Sequence, residues 1–286
     1  MNNIYKKQND EYYIRLIRAF NAVYNKAKML NAIRFFLSVV IPVGINISFI
    51  LFEQPVVKSV LCFLVMLFMA TSFILDEIIR HYVYIGSLIQ QKFDLSLFNL
   101  GELTVYENED IDTFLAKYSH KVIKNENNWY SDYSSLSEDM AVLYCQKENV
   151  SWTKRAMHRY LIIVASIVIV SFVPIILSFT IMNFDMVNIM QFFYNLIPVI
   201  SFLAVSIYKT FEENNTLMVC DCYSKSVLEN CSKNIAIRDN LIVLQKMIFE
   251  YRKTKRIIPG WLYWVFYKQD SAIEHKKADD MLNLYK

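Results

Sequence analysis

The sequence predicts an all-α membrane protein with four transmembrane helices in two hairpins and a helical cytoplasmic domain assembled from three separate segments. Three observations predict it. From Tyr160 to Tyr208 the chain carries one charge, Asp185. That residue divides the stretch into apolar segments of about 25 and 23 residues, each able to cross a bilayer core of about 30 Å at about 1.5 Å per residue. Earlier, Phe35 to Phe52 and Ser59 to Leu75 form two more uncharged runs of about 18 and 17 residues, joined by Glu53 to Lys58. Basic residues also crowd one end of both hairpins. Arg15, Arg18, Lys26, Lys28 and Arg34 precede span one, and Arg80, His81 and Lys92 follow span two. Arg155, His158 and Arg159 precede span three, and Lys209 follows span four. The shorter runs alone would also suit buried soluble helices; the flanks decide for the membrane and place both termini and the middle in the cytoplasm.

The chain therefore divides into a cytoplasmic amphipathic arm (1–33), a first transmembrane hairpin (34–79), a central helical segment (80–158), a second hairpin (159–208) and a C-terminal helical segment (209–286). About 195 residues lie outside the spans, enough for a soluble core, and the three segments are expected to fold together beneath the membrane. The first thirty residues are polar, aromatic and basic, unlike a signal peptide, so span one is expected to act as its own insertion signal.

Thirty basic residues against 27 acidic ones leave a net charge of +3, too small to argue for DNA or RNA binding. Five cysteines facing the cytosol are expected as free thiols. Cys220, Cys222 and Cys231 are the one cluster, but helical residues two apart point in nearly opposite directions and no histidine completes a metal set. Four glycines, Gly44, Gly86, Gly101 and Gly260, cannot build a phosphate-cradling loop. The four histidines, His81, His120, His158 and His275, fall in no catalytic motif. Ionisable groups are absent from the spans, which argues against an ion-coupled transporter. No cofactor, metal or enzymatic activity is expected.

In chain order, Ile14, Ile17, Phe20, Tyr24 and Ala27 recur at helical steps, so Asp10 to Leu30 reads as an amphipathic helix. It can lie on the lipid surface or pack on the other cytoplasmic helices. Ser38, Pro42 and Asn46 share a face of span one that should look at protein or water. Span two reads as the lipid-facing helix and continues to Leu100, with Gly101 as its stop. A polar linker around Glu107 to Asp110 leads to a short helix from Ile111 to about Lys121. Another helix runs from Ser137 to about Gln146, and Asn149 to Ser151 cap the helix that becomes span three. That span places Ser171, Pro174 and Ser178 on one face. Span four carries Asn188, Gln191, Asn195 and Pro198 at three- and four-residue steps, a stripe that either bonds neighbouring helices or lines a wet passage as pore-lining residues. After Lys209 a helix with Ala236, Leu241, Leu244 and Ile248 on one face runs to about Lys255. Pro259 and Gly260 end it, and the aromatic run Trp261 to Tyr267 reads as a cytoplasmic core plug or an interface belt.

Several short stretches carry a resemblance: Phe20 to Lys28, Gln90 to Leu95, Trp129 and Tyr130, Cys145 and Gln146, Trp152, Arg238 and Asp239, and Ile258 to Tyr263. Together they resemble the SMODS-associated four-transmembrane effectors over nearly the whole chain. Gly260 departs from the pattern, standing where an acidic residue is expected. The resemblance implies a pore-forming effector of bacterial anti-phage defence in the inner membrane. It implies a cyclic oligonucleotide second messenger, made by a neighbouring nucleotidyltransferase, as the signal and a homo-oligomer in the lipid bilayer as the acting form. A non-pore receptor or scaffold that recruits a cytoplasmic partner is the alternative. Lys92, Asp94, Trp129, Tyr130, Arg238 and Asp239 are the candidate ligand-binding residues, since aromatic faces suit a nucleobase and basic groups a phosphate. The competing reading puts Trp129 and Tyr130 in the core and pairs Arg238 with a carboxylate.

Overall fold

The computed structural model describes residues 2–51, 54–123, 126–181, 186–231 and 237–284, and among them every regular element is helical. In order these are α1 (Ile4–Lys7), α2 (Glu11–Phe35), a π-helical turn (Phe36–Val40), α3 (Ile41–Leu51), α4 (Pro55–Phe98) and α5 (Val105–Tyr118). After them come α6 (Glu138–Ile181), α7 (Met186–Cys231), α8 (Ile237–Thr254) and α9 (Gly260–Leu284). Among the described residues three helical runs, Glu11–Ser48, Pro55–Phe98 and Phe193–Asn230, are long and apolar enough to cross a membrane. The turn at Asn183 and Asp185 lies outside the described residues, as do Ala236 and the side chains of Ser171, Pro174, Ser178 and Cys231.

The arm packs in the core. Ile14, Ile17, Phe20, Tyr24 and Ala27 are all buried, and α2 lies along the C-terminal half of α4. Gly86 makes that approach feasible: a Cβ there would stand 2.8 Å from Cε1 of Tyr24, inside van der Waals contact. Phe20, Phe93, Leu143, Leu217 and Leu244 belong to one buried cluster, so all three soluble segments share a core. α2 passes into α3 through the π-helical turn, directly before Pro42. Proline has no N–H to bond the carbonyl four residues back, and a wider turn absorbs that mismatch without breaking the span.

The helix limits differ from the periodicity in four places. α4 stops at Asn99, which takes the left-handed conformation (φ 54°), two residues before Gly101; asparagine tolerates that region because its side chain bonds locally. The acidic linker is the first turn of α5: Thr104 and Glu107 make a capping box, which nucleates the helix ahead of Ile111. α6 is continuous from Glu138 to Ile181. Asn149 and Ser151 cap nothing, because the helix runs through them and its N–H groups there are already bonded; their side chains donate to Tyr130 and Glu274. α8 ends at Thr254, and Gly260 opens α9 rather than closing α8.

The aromatic run plugs the core only in part, through Leu262 and Phe266, and the side chains of Tyr263 and Trp264 lie outside the described residues. Leu262 is buried, but Trp261, Val265 and Tyr267 are exposed, because α9 rests on α6 with one face only. Span two does present its apolar side chains outward, among them Val60, Phe63, Met66, Phe73 and Ile74.

Candidate functional site

Polar side chains from five parts of the chain meet in the middle of the helical core outside the apolar stretches. Asp94, on the buried face of α4, accepts Arg252 Nη1 from α8 at 2.5 Å on Oδ2 and the Tyr130 hydroxyl at 2.7 Å on Oδ1. Gln245, two turns before Arg252 on α8, donates to Gln91 Oε1 at 2.7 Å and to Asp94 Oδ2 at 3.1 Å. Gln146 of α6 donates to Gln245 Oε1 at 3.0 Å. Gln8, following α1, grips the Tyr130 backbone from both sides: its amide donates to the Tyr130 carbonyl at 3.1 Å, and its Oε1 accepts the Tyr130 N–H at 2.8 Å. All these groups are buried. Burial first, and the Asp94 carboxylate second, push the Tyr130 hydroxyl well above its ordinary pKa, so it stays a donor to Asp94 at any working pH.

A second set of contacts sits where the apolar stretches meet this core. Arg34, at the end of α2, pairs with Asp76 of α4, and one turn further along Ser38 donates to Ser72 at 2.7 Å. Arg256, between α8 and α9, reaches α7: its N–H donates to Glu213 at 2.7 Å and its Nη1 to Ser206 at 2.7 Å. The basic flank of span three is also engaged, since Asp270 of α9 receives Arg155 at 3.0 Å and Arg159 at 2.6 Å. Arg34, Arg155 and Arg159, read from the sequence as membrane flanks, are ion-pair partners in the structure.

The six candidate ligand residues do not form one site. Asp94 and Tyr130 meet in the buried network. Trp129 packs edge-on against Phe20 with ring centroids 5.0 Å apart, Lys92 donates to Asn108 at 2.8 Å, and Asp239 is exposed. Arg238 pairs with Asp139 at 3.2 Å and donates to the Asn99 carbonyl, tying the start of α8 to the end of α4. Of the span-four stripe, Asn195 turns into the interior of the chain and donates to Asn46 of α3 at 3.2 Å. Pro198 borders a cavity of about 250 Å³ between α4 and α7, with Val65, Met69, Phe73 and Tyr194 on its other walls. The side chains of Asn188 and Gln191 lie outside the described residues.

Gln8, Gln146, Gln245, Arg252 and Arg256 were not singled out as functional from the sequence. For two of them a signal exists: Gln245 and Arg252 fall on the face of α8 that also carries Leu241, Leu244 and Ile248. A charge on an apolar stripe needs a buried partner on another element.

Compared with known proteins, residues 2–281 match a family model described as the SMODS-associating 4TM effector domain. A protein of Bacillus cereus (strain VD146), named as a probable CBASS effector molecule, is 26% identical over 281 residues, covering 93% of each chain. No solved structure matches.

Proposed function

This chain belongs to the SMODS-associating 4TM effector family, and from that premise we propose that it is a bacterial anti-phage membrane effector that permeabilises the inner membrane on a cyclic oligonucleotide signal. The relative named as a probable CBASS effector supports extending that role to this chain. In this reading four spans cross in two hairpins, at 34–79 and 159–208, with both termini and the central segment cytoplasmic. The protein acts without enzymatic chemistry.

One observation carries the reading. α4 and α7 run unbroken for 44 and 46 residues, about 65 Å each at helical rise, from the apolar stretches into the cytoplasmic core. The helix that bears Asp94 also bears Phe63 and Phe73 on its apolar outer face. Rigid helices transmit a displacement at one end to the other, so a ligand that repacks the core tilts the spans.

Four helices of one subunit fill their own centre with side chains, so conduction needs several subunits around a shared axis. Asn195 is bonded inside the subunit to Asn46, so hydrating the stripe of Asn188, Gln191, Asn195 and Pro198 requires α7 to turn or to part from α3. Activation is therefore a rearrangement of an assembled oligomer.

The test is dye release from liposomes that hold the purified protein, against a panel of cyclic di- and trinucleotides. Release with one nucleotide and none without it is the expected result. Nucleotide binding without release would favour a receptor or scaffold that recruits a partner. Neither binding nor release across the panel would remove the messenger from the mechanism.

A further inference from the structure

The connection between α8 and α9 gathers positive charge against α2. Lys255 Nζ stands 4.1 Å from the centroid of the Tyr24 ring, and the Tyr24 hydroxyl donates to Gln90 of α4 at 3.1 Å. Lys28, one turn along α2, runs its stem past the end of the same connection, with Cδ 3.6 Å from where a Gly260 Cβ would lie. Arg252 and Arg256 flank Lys255 on either side. Arg252 pairs with Asp94, whereas Glu213 receives only the backbone N–H of Arg256, whose guanidinium donates to Ser206. Arg252 Nη2 and Arg256 Nε are buried and have no hydrogen-bond partner. Concentrated, partly desolvated cations attract an anion more strongly than the same groups would in water. Lys28, Lys255 and Gly260 remain half-buried rather than sealed, so the cluster is reachable.

We propose that Lys255, over the Tyr24 ring, and Lys28, one turn further along α2, form a seat for a phosphodiester anion, and that filling it draws the 255–259 connection away from α7. Phosphodiester groups occur both in a cyclic oligonucleotide and in an anionic lipid headgroup such as phosphatidylglycerol; assigning the nucleotide as the source rests on the function proposed above. The consequence for the spans follows from Arg256. It is bonded to Ser206 and Glu213, next in sequence to Lys255, so pulling Lys255 toward a phosphate strains these bonds between the connection and the base of span four. A signal bound on α2 would thus be felt on α7.

Proton balance supplies a signature. Burial first, then Arg252 and Lys28, push Lys255 down to about 7 against the opposing pull of Glu213. The groups around it are Lys28 and Tyr24 of α2, Arg252 of α8, Glu213 of α7, and Asp94 of α4 through Arg252. At pH 8 Lys255 is mostly neutral, and an arriving anion favours its charged form, so binding takes up protons.

The experiment uses the full chain in nanodiscs of phosphatidylcholine, with and without phosphatidylglycerol, and a panel of cyclic di- and trinucleotides. Expected is nucleotide binding that weakens at least about tenfold in Lys28→Ala/Lys255→Ala, survives in Lys28→Arg/Lys255→Arg, and is unchanged in Arg238→Ala. Uptake of a proton at pH 8, read as a buffer-dependent binding heat, should accompany it. If phosphatidylglycerol alone raises the melting temperature and the alanine pair abolishes that rise, the seat stands with a lipid as its source. An alanine pair that matches the parent in both arms overturns the seat, and nucleotide binding retained there leaves the proposed function untouched. A parent that responds to neither anion overturns the seat as well. The arginine pair guards against misfolding as the cause of any loss.

Discussion

Arg252 Nη1 stands 2.5 Å from Asp94 Oδ2, joining two side chains that are 3% and 1% exposed and lie 158 positions apart. Each charge is tolerable there only because the other is present, and Tyr130 and Gln245 fill further lone pairs of the carboxylate. Asp94→Asn strands the guanidinium in the core and should cost about 3–5 kcal/mol, read as a large fall in melting temperature in detergent. Asp94→Leu combined with Arg252→Met removes both charges and should recover most of the loss. Equal melting of Asp94→Asn and the parent would show that the pair anchors nothing.

A pH dependence follows from Glu148. It accepts the Ser131 N–H and hydroxyl, both at 3.1 Å, and the Tyr133 hydroxyl at 3.3 Å. Burial outweighs these donors and, with Glu274 nearby, raises it to about 7 from an ordinary 4.5. Between those values the folded chain holds a proton that the unfolded chain has released, so stability is full below pH 4.5 and declines as pH rises toward 7. Glu213, raised to about 7 chiefly by burial, adds a second decline of the same sign. Glu148→Gln should remove about half of that slope and melt above the parent at pH 8, by at most about 3 kcal/mol. Melting curves between pH 4 and 8 decide it; an unchanged slope in the variant means that Glu148 does not titrate in this window.

Within the membrane the Asn46–Asn195 bond makes a paired prediction. Asn195→Leu leaves Asn46 buried without its partner and should destabilise the spans by about 0.6–1.7 kcal/mol. Adding Asn46→Leu should restore the loss, because the pair is then replaced by apolar contact. A double variant no more stable than the single one would place the Asn195 contribution outside this bond.

Topology has a direct check at Tyr106, which is 81% exposed at the start of α5. A cysteine there, in a chain otherwise free of reactive thiols, should resist membrane-impermeant reagents applied outside the cell and react once the membrane is opened. Labelling in intact cells would reverse the orientation read from the basic flanks.

Much of the fold was legible because membrane and helix impose regular, local rules. Length without charge marked the apolar helices, and the 3.6-residue stripe of Ile14, Ile17, Phe20, Tyr24 and Ala27 marked α2. The continuity of α6 across Asn149 and Ser151 was not legible, since the residue types that cap helices also bond across the tertiary structure, Asn149 through Nδ2 and Ser151 through its hydroxyl. Only the position of Tyr130 and Glu274 in space shows which use wins.

The candidate site divides along the same line. The sequence by itself determined that Asp94, Tyr130 and Arg238 carry groups able to bond at a distance, and that Asn195 sits on a polar stripe. Which partner each one meets depends on how helices more than a hundred residues apart pack, and no local pattern encodes that. Tertiary structure decided that Asp94 and Tyr130 converge with Arg252 and Gln245, that Arg238 clamps Asn99, and that Asn195 faces Asn46 within the same chain. The physical reason is desolvation: once the helices exclude water, each buried charge or amide must be satisfied by whichever group the packing brings within about 3 Å.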